Sequence, residues 1–523
     1  MEQEAFDIAS LDEFRIHLVA SGFEPVPSTD RLLWRGPIHP AFGGLTDAKT
    51  MEIAFDVGWP YRPPSVFVQG LNTNHCTLDG FVCLWREGDA SRQWETVDGL
   101  FERIEDWCER AKNGWQDDDL PFDAYMNFKS KLPRMVTFDF RSLRTSIDSR
   151  GDMKGVVTTK SLVLNIRRGP ATASKELRGL WLRVGQLRAP PPRNLSELTH
   201  HLSEWQQKGL ERALSRRRVP TCLRPSGGVD VILFAWERGE RTDLLIMALR
   251  GIGDNVEAAV LIAEPNDEQT LRLRAGPDAD FLTGRSAVLF GVGALGGHVA
   301  VALAESGLAS LKLVDSDLLS PGNVVRHVAG HDQVGHRKVD AVRTVIGNHA
   351  PWTEVESVFP SMNSGGPTGI AELVEGADLI IDATGNEAFV YPVALVAEKH
   401  GKPFVSGALY RGGCIGRVQR KALASDASIS DRSDLVRYPT IPVGDSNVDF
   451  LEPDLGCSAP VNNAPPTSVL ACASLIAQAA IDVLTKRFDF EDEMIDVYRP
   501  VPQSPFDCIG RYQRPTELEM PQI

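Results

Sequence analysis

Three glycines of a GxGxxG segment, Gly291, Gly293 and Gly296, are the feature that most constrains how this chain can fold. The apolar run Ala287–Phe290 precedes them, and a helical pattern from Leu295 to Ser306 follows. Glycines at a strand-to-helix turn let the backbone approach a phosphate, and the N–H groups at the helix start bind it. The segment therefore predicts a nucleotide site at the first strand of an α/β sheet.

Strand-like and helical segments continue to alternate after the glycine segment. Leu311–Val314, Asp378–Ile381 and Pro403–Ser406 have strand character, with helical sequence between them. This alternation predicts a doubly wound, Rossmann-like α/β domain, which we place at residues 281–523. Asp315 ends the second strand, where a carboxylate accepts hydrogen bonds from ribose hydroxyls. By itself the pattern also fits an NAD(P)-dependent oxidoreductase.

Four polar residues beyond Asp315 favour ATP over a dinucleotide. They are Asn323, Arg326, Lys338 and Asp382. A dinucleotide site needs only the ribose carboxylate, whereas attack at the α-phosphorus of ATP needs cations and a metal ligand. We expect Arg326 and Lys338 to neutralise phosphoryl oxygens and Asp382 to bind Mg²⁺. The alternatives are solvated surface charges for the two cations and a turn cap for Asp382.

In order and spacing these residues resemble the adenylating domain of ubiquitin-activating enzymes and of the ThiF-type bacterial enzymes of thiamine and molybdopterin biosynthesis. The resemblance runs from Arg285 to about Leu484. It implies that ATP, with Mg²⁺, adenylates the C-terminal carboxylate of a partner protein. The implied roles are ribose binding by Asp315, magnesium binding by Asp382, and phosphate binding by Asn323, Arg326 and Lys338.

The same resemblance implies a homodimer in which an arginine crosses the interface, and Arg272 or Arg274 is a candidate for it. Many relatives bind zinc through two CxxC pairs. No two of the eight cysteines of this chain form such a pair, so no zinc is expected. Cysteines this sparse favour a reduced, cytoplasmic protein. No membrane span is expected, because the apolar segment Ser468–Leu484 carries Gln478 and Asp482 and is short.

One cysteine of this domain, Cys457, is a candidate acyl acceptor. It lies in the polar segment Asp454–Pro460, before the apolar helix, where thioester-forming relatives of the resembled family carry their cysteine. A loop thiol near a helix start is accessible and ionises readily. The alternative is a structural cysteine. Cys472 lies within the apolar helix and is expected in the core.

Residues 1–135 are expected to form a separate α+β domain. Ile8, Leu11, Phe14 and Leu18 recur at helical spacing, short strand-like runs follow, and a second helical pattern comes late. A helix, several sequential strands and a helix are typical of an α+β fold rather than of a parallel sheet.

Part of this domain resembles the ubiquitin-conjugating fold. In that family a Tyr-x-Pro-Pro turn leads to a histidine loop and then to the active-site cysteine, and here Trp59–Val66 is followed by Gly80–Trp85. The resemblance implies that Cys83 carries an acyl group as a thioester. The alternative is a small core residue. The family's His-Pro-Asn reads His75-Cys76-Thr77 here, so the oxyanion donor stays open among His75, Asn74 and Thr77.

Residues 136–280 are expected to form an α/β linker domain. From Val136 to Arg224 there are 18 Lys and Arg against 7 Asp and Glu, although the whole chain has a net charge of −15. Clustered cations favour phosphates, but without interleaved aromatic residues an interdomain scaffold is favoured over nucleic-acid binding. The runs Val231–Trp236 and Leu244–Met247 are predicted to be buried strands.

The order of the two outer domains resembles the fusion enzymes of type II CBASS antiphage operons. The resemblance implies a relay in which Cys457 takes the acyl group from the adenylate and passes it to Cys83, from which a target amine accepts it. The activated carboxylate belongs to a cGAS-like nucleotidyltransferase in that family, or to a bacterial ubiquitin-like protein in similar fusions. An oxidoreductase and a non-catalytic scaffold are the other function classes left open.

Overall fold

A computed structural model shows two compact units, Met1–Asp267 and Glu268–Ile523. Each unit is described by itself. The structure describes residues 8–27, 32–55, 58–77, 79–85, 91–115, 124–125, 128–138, 149–157, 164–187, 191–238, 241–360, 367–435, 437–445, 448–451 and 461–512.

The first unit opens with a helix, an antiparallel sheet and a second helix, in the order expected for residues 1–135. Helices α1 (Ile8–Ala20) and α2 (Val97–Asn113) flank five strands, each paired with the one before it. The strands are β1 (Glu24–Pro25), β2 (Leu33–Pro37), β3 (Thr50–Ala54), β4 (Ser65–Phe67) and β5 (Phe81–Val82). The Thr96 hydroxyl accepts a hydrogen bond from the Gly99 N–H and so caps α2, whose apolar face is buried in the common core.

The rest of this unit is a closed β-barrel with two helices, which differs from the expected α/β linker domain at 136–280. The barrel strands follow one another in the order β10, β11, β12, β6, β8, β7 and β9. Their bounds are β6 (Lys131–Phe138), β7 (Arg150–Val157), β8 (Leu164–Arg168), β9 (Leu177–Gln186), β10 (Val231–Arg238), β11 (Arg241–Arg250) and β12 (Glu257–Pro265). Closure depends on β6 pairing with β12, which brings Lys131 opposite Val260, so the barrel begins before residue 136.

Strand β10 is buried on both faces, which explains its uninterrupted apolar sequence. Val231 and Leu233 belong to one core cluster with residues of the other barrel strands. Ile232 and Phe234 point to the other face, where they share a cluster with residues of α3 (Leu195–His200) and α4 (Glu204–Leu214). The sequence thus indicated the strand correctly. An uninterrupted apolar run is expected for a strand buried on both faces in either fold, so it did not distinguish a barrel from an α/β layer.

A buried ion pair joins the segment after α4 to the strand that follows it. The Arg217 guanidinium is 3.3 Å from the Asp230 carboxylate, and both side chains are essentially inaccessible to solvent. The guanidinium also donates to the carbonyl oxygens of Val229 at 2.6 Å and Gly251 at 3.0 Å and to the Ser226 hydroxyl at 3.1 Å. A buried pair of charges is tolerated only when its remaining hydrogen bonds are made in this way.

The second unit is built on one eight-stranded sheet in the order β15, β14, β13, β16, β17, β18, β21, β22. Strands β15, β14, β13, β16 and β17 are mutually parallel, and β18, β21 and β22 extend the sheet, each antiparallel to the strand before it. The parallel part confirms the Rossmann-like domain predicted from the sequence. Its strands are β13 (Ser286–Phe290), β14 (Ser310–Val314), β15 (Glu354–Val358), β16 (Leu379–Asp382) and β17 (Phe404–Tyr410).

The remaining described elements of this unit are the three strands that extend the sheet, two strands that pair with each other in a separate sheet, and the helices. The strands are β18 (Ile415–Lys421), β19 (Phe450–Leu451), β20 (Val461–Asn462), β21 (Glu493–Val497) and β22 (Gly510–Arg511). The helices are α5 (Glu268–Arg272), α6 (Ala279–Leu282), α7 (Ala294–Glu305), α8 (Lys338–His349), α9 (Pro367–Val374), α10 (Glu387–Lys399) and α11 (Pro466–Thr485).

Helix α11 is, within the described ranges, the one helix that is both long and apolar enough to cross a membrane, with a mean hydropathy of 1.7. It packs against α7 and β17, and about two thirds of it is buried. Cys472 on this helix has no exposed surface, and burial raises the pKa of its thiol to about 12. The position of α11 in the core accounts for its composition.

We expect Arg217→Met to lower the free energy of unfolding of the first unit by about 3–5 kcal/mol, because it leaves Asp230 charged, buried and unpaired. Arg250→Met is the matched control: Arg250 pairs with Glu257 at the surface, where both side chains are more than half exposed, so its loss costs about 0–1 kcal/mol. Urea unfolding followed by tryptophan fluorescence measures both values, since every tryptophan except Trp352 precedes residue 268. Equal costs for the two variants would contradict the prediction.

Candidate active site

The glycine segment forms a tight turn between β13 and α7. Gly291 has φ of +81°, and a Cβ there would lie 2.8 Å from backbone atoms of Thr384. A Cβ on Gly296 would collide with the Gly291 carbonyl oxygen, whereas the space around Gly293 is open. Gly291 and Gly296 are therefore required because other backbone atoms approach them closely. Gly293 leaves a free surface beside the start of the helix.

The Asp315 carboxylate joins the glycine turn to the neighbouring strand end. It accepts hydrogen bonds from the N–H of Val292 at 2.7 Å and of Asp317 at 2.8 Å. Burial raises the pKa of this carboxyl, and Lys338 opposes that change. The carboxylate is thus held at the carboxyl end of β14 by backbone donors on two sides.

The two candidate cations are both engaged with the protein. The Lys338 ammonium, 12% exposed, lies 2.7 Å from the Asp317 carboxylate. The Arg326 guanidinium donates to the carbonyl oxygens of Asn462 at 2.5 Å and Ala464 at 3.3 Å, and burial lowers its pKa. Neither side chain is a fully solvated surface charge.

Asn323 has a local structural role in addition to its place near the site. Its side-chain oxygen accepts a hydrogen bond from the Ser320 N–H at 3.2 Å and caps a short 3₁₀ turn, Pro321–Asn323. This turn carries the chain from β14 to Arg326. Asn323 therefore fixes the path of the segment that presents the arginine.

Asp382 is a fully buried carboxylate at the carboxyl end of β16. It accepts hydrogen bonds from the hydroxyl groups of Thr384 at 2.9 Å and Ser406 at 3.2 Å. Burial raises its pKa to about 6. In the sheet Asp382 stands between Phe290, the last residue of β13, and Ser406, so it lies at the same edge as the glycine turn.

A magnesium ion fits this position. Within the described ranges no group of three or more His, Cys, Asp and Glu side chains is close enough to hold a metal ion. Mg²⁺ is commonly bound through one or two carboxylates together with water and substrate phosphates, so a single buried carboxylate beside a phosphate-binding turn is a suitable donor set.

A polar cavity of about 240 Å³ opens beside Asp382. Gly385, Ser406 and Tyr410 line it, together with Arg417, which pairs with the buried Glu493 at 2.9 Å. Because Ser406 also donates to Asp382, the cavity and the carboxylate share one wall. The arrangement leaves room for the end of a polar substrate next to the predicted nucleotide position.

In the first unit, Cys83 is an exposed thiol that follows β5. Its N–H donates to the His75 carbonyl oxygen at 2.8 Å, so the histidine loop lies directly beside it. The His75 ring stacks on Trp115, with 4.2 Å between ring centroids. Of the possible oxyanion donors, the Thr77 hydroxyl is bonded within its own turn to Asp79 and accepts from the Phe81 N–H.

Three other predicted residues need separate mention. Cys457 lies outside the described residues. Arg272 pairs with Glu268 at 3.0 Å and stacks on Trp352, both in its own unit, while Arg274 is exposed. The suggestion that either arginine crosses a dimer interface stays a prediction.

Sequence reasoning missed several polar groups of the candidate site: Asp317, Thr384, Ser406 and His327. Ser406 was detectable, because it ends a predicted parallel strand and all such ends meet at one edge. His327 follows Arg326 directly in the sequence, but only the fold shows that its ring contacts the glycine turn.

Comparisons with known proteins show similarity chiefly in the second unit. The ThiF family matches residues 274–500. The chain is 32% identical over 138 residues to the uncharacterized protein y4qC of Sinorhizobium fredii, which is 25% of this chain and 24% of that protein. It is 30% identical over 142 residues, 27% of this chain and 23% of the other, to the ATP-dependent ubiquitin transferase-like protein Cap2 of Enterobacter hormaechei. The chain thus spans about a quarter of the length of these relatives.

Among solved structures, one that is similar is the Microcin C7 biosynthetic enzyme MccB in complex with N-formylated MccA. The match has 17% identity and a TM-score of 0.36, and covers 45% of this chain and 66% of MccB.

We expect Asp382→Asn to stabilise the second unit by about 1–3 kcal/mol at pH 7.5. Burial raises the pKa of the Asp382 carboxyl from 3.8 to about 6, so the folded state holds its proton more tightly than the unfolded state. This difference stabilises the fold at a pH below 3.8, and the stabilisation is lost as the pH rises through about 6. The neutral amide avoids the cost of burying a charge, and its oxygen still accepts from Thr384. Urea unfolding at pH 7.5 and pH 4 measures the effect, which should be small at pH 4. A variant that is less stable than the wild type at pH 7.5 would contradict the expectation.

Proposed function

We propose that this chain, whose residues 274–500 form a ThiF-family domain, uses ATP to activate the C-terminal carboxylate of a partner protein. The observation that carries the proposal is the meeting of three features at one sheet edge: the glycine turn bound to Asp315, the Lys338–Asp317 pair, and the buried Asp382. A dinucleotide site does not need the last two. Reduction or oxidation of a substrate is therefore the less suitable function.

Each residue has a defined part in this reaction. The turn of Gly291, Gly293 and Gly296 admits the phosphates, and Asp315, already fixed by two N–H donors, accepts from the ribose. Asn323 holds the turn that presents Arg326, and Lys338 neutralises phosphate charge. A magnesium ion on Asp382 would withdraw charge from the phosphoryl oxygens. The metal-bound form requires an ionised Asp382, which its raised pKa permits at neutral pH.

The activation step conserves all atoms of its reactants. An oxygen of the partner's C-terminal carboxylate attacks the α-phosphorus of ATP, a new P–O bond forms, and the bond to the leaving oxygen breaks. Pyrophosphate departs with the electron pair, and an acyl-adenylate remains. We assign the cavity beside Ser406 and Tyr410 to the last residues of the partner, because its wall is shared with Asp382.

The acyl group then passes through two thiols. The Cys457 sulfur attacks the acyl carbon, a C–S bond forms and AMP leaves. Cys83 takes the acyl group by a second thiol exchange, and a target amine displaces Cys83 to give an amide. Support for Cys83 comes from its exposure and from the adjacent His75 loop. In addition, the Trp94 indole donates to the Pro60 carbonyl oxygen at 2.8 Å, which joins the segment after Cys83 to the Trp59–Val66 turn.

The domain plan that goes with this chemistry is a ubiquitin-conjugating-like domain that contains α1, α2 and the sheet between them, a linker formed by the barrel, and the adenylating domain at 281–523. The resemblance of the domain order to type II CBASS fusion enzymes implies a role in antiphage defence, with a cGAS-like nucleotidyltransferase as the partner. The similarity of part of the chain to the ATP-dependent ubiquitin transferase-like protein Cap2 supports the transferase chemistry. A bacterial ubiquitin-like protein is the other partner class. A homodimer and a cytoplasmic location belong to the same proposal.

Lys338→Ala should lower adenylation about a hundredfold, because it removes a cation that balances phosphate charge in the transition state. The assay measures exchange of labelled pyrophosphate into ATP, with Mg²⁺ and the purified product of each neighbouring gene as the candidate partner. Lys312→Ala is the control, since Lys312 pairs with Glu356 along β14 and β15, away from the carboxyl ends. NADH binding by a chain that neither binds ATP nor exchanges pyrophosphate would overturn the proposed function.

Cys83→Ser should trap the acyl group as an oxyester, which resists thiols that cleave the wild-type thioester. Intact mass spectrometry after incubation with ATP, Mg²⁺ and the partner detects an adduct equal to the partner mass less one water. Cys508→Ser is the matched control, because Cys508 is also exposed but lies near the C-terminus. Unaltered conjugation to the target amine by Cys83→Ser would argue against the relay.

A further inference from the structure

We propose that His327 is a positioning residue for ATP binding, which fastens the glycine turn to the segment that presents Arg326. The inference rests on the proposed function, because it concerns the same nucleotide site. His327 is nearly fully buried and lies between the turn after β13 and the start of α7.

The hydrogen bonds of the ring fix its protonation state and tautomer. The N–H of Ala329 donates to His327 Nδ1 at 3.0 Å, so Nδ1 carries no proton. His327 Nε2 lies 2.9 Å from the Val292 carbonyl oxygen, which is only an acceptor. The neutral ring with its proton on Nε2 is the form that satisfies both contacts.

The backbone of Val292 is consequently held on both sides of its Cα. Its N–H donates to Asp315 at 2.7 Å, and its carbonyl accepts from His327. Val292 lies between Gly291 and Gly293, so these two side chains set the direction of the backbone that faces the phosphates. Without them, a turn with two flanking glycines is free to adopt other conformations.

The start of α7 packs on the same histidine. A Cβ on Gly297 would lie 3.1 Å from the Val328 side chain, a tight contact, and 3.5 Å from His327 Nε2, so the helix start lies against both residues. From α7, His298 Nε2 is 3.2 Å from the Arg326 carbonyl oxygen. The helix start, the glycine turn and the arginine segment therefore form one packed assembly around His327.

The charged groups around His327 keep its ring neutral. Burial lowers the pKa of His327, and Lys338 on α8 and His298 on α7 lower it further, while the Val292 carbonyl opposes the change. The remaining contacts, Ala329 and Gly297, are uncharged. The hydrogen bond to Val292 is therefore retained at neutral pH.

The test is the dissociation constant of ATP, without Mg²⁺, for the full chain at pH 7.5. Omission of Mg²⁺ removes any contribution from metal binding at Asp382. His327→Phe keeps an aromatic ring but cannot donate, and we expect it to weaken ATP binding on the order of tenfold. His327→Gln has an amide that can donate to Val292, and it should bind within about threefold of the wild type.

His331→Gln is the control, because His331 is an exposed histidine of a nearby 3₁₀ turn. An ATP affinity of His327→Phe equal to that of the wild type would overturn the inference. Equal losses of ATP affinity in His327→Phe and His327→Gln would also overturn it, because they would mean that the ring acts by packing and not by its hydrogen bond to Val292. A thermal unfolding curve of each variant verifies that the protein is folded under the conditions of the binding measurement. Failure of the wild type to bind ATP both with and without Mg²⁺ would instead overturn the proposed function.

Discussion

The site depends on the parallel register of β14, β13, β16 and β17. In-register pairing places Val314, Phe290 and Asp382, the last residues of their strands, side by side at one edge, and Ser406 of β17 lies opposite Asp382. The edge brings together chain segments about a hundred residues apart. The contact of Asp382 with Ser406 and the contact of Asp315 with the glycine turn are consequences of this register.

The parallel part of the fold was predictable because its signals are local. Each buried strand is a short apolar run, and the Gly291 turn requires glycine for reasons contained within a few residues. The barrel was not predictable in the same way, because its closure pairs β6 with β12 and β9 with β10 across long stretches of chain. Apolar runs in β10 and β11 indicated buried strands but carried no information about their partners.

The same distinction applies to the candidate site. Asp315 and Asp382 were predicted because they follow strands whose ends must meet. The contacts of Arg326 were not, since they depend on where Asn462 and Ala464, more than 130 residues later, return to the sheet. His327 was overlooked for the same reason: its hydrogen bond to Val292 joins residues that are adjacent only in the folded chain.

The two acidic groups next to the turn differ in how their charge is balanced. Asp317 has the ammonium of Lys338 at 2.7 Å and is largely exposed. Asp382 is fully buried, and among the described residues only hydroxyl and N–H groups approach it, without a cation. A buried carboxylate without a counter-charge is unfavourable for folding, and a bound cation relieves that cost. The charge that the protein leaves unbalanced at Asp382 is therefore the physical reason for proposing a metal ion at this carboxylate.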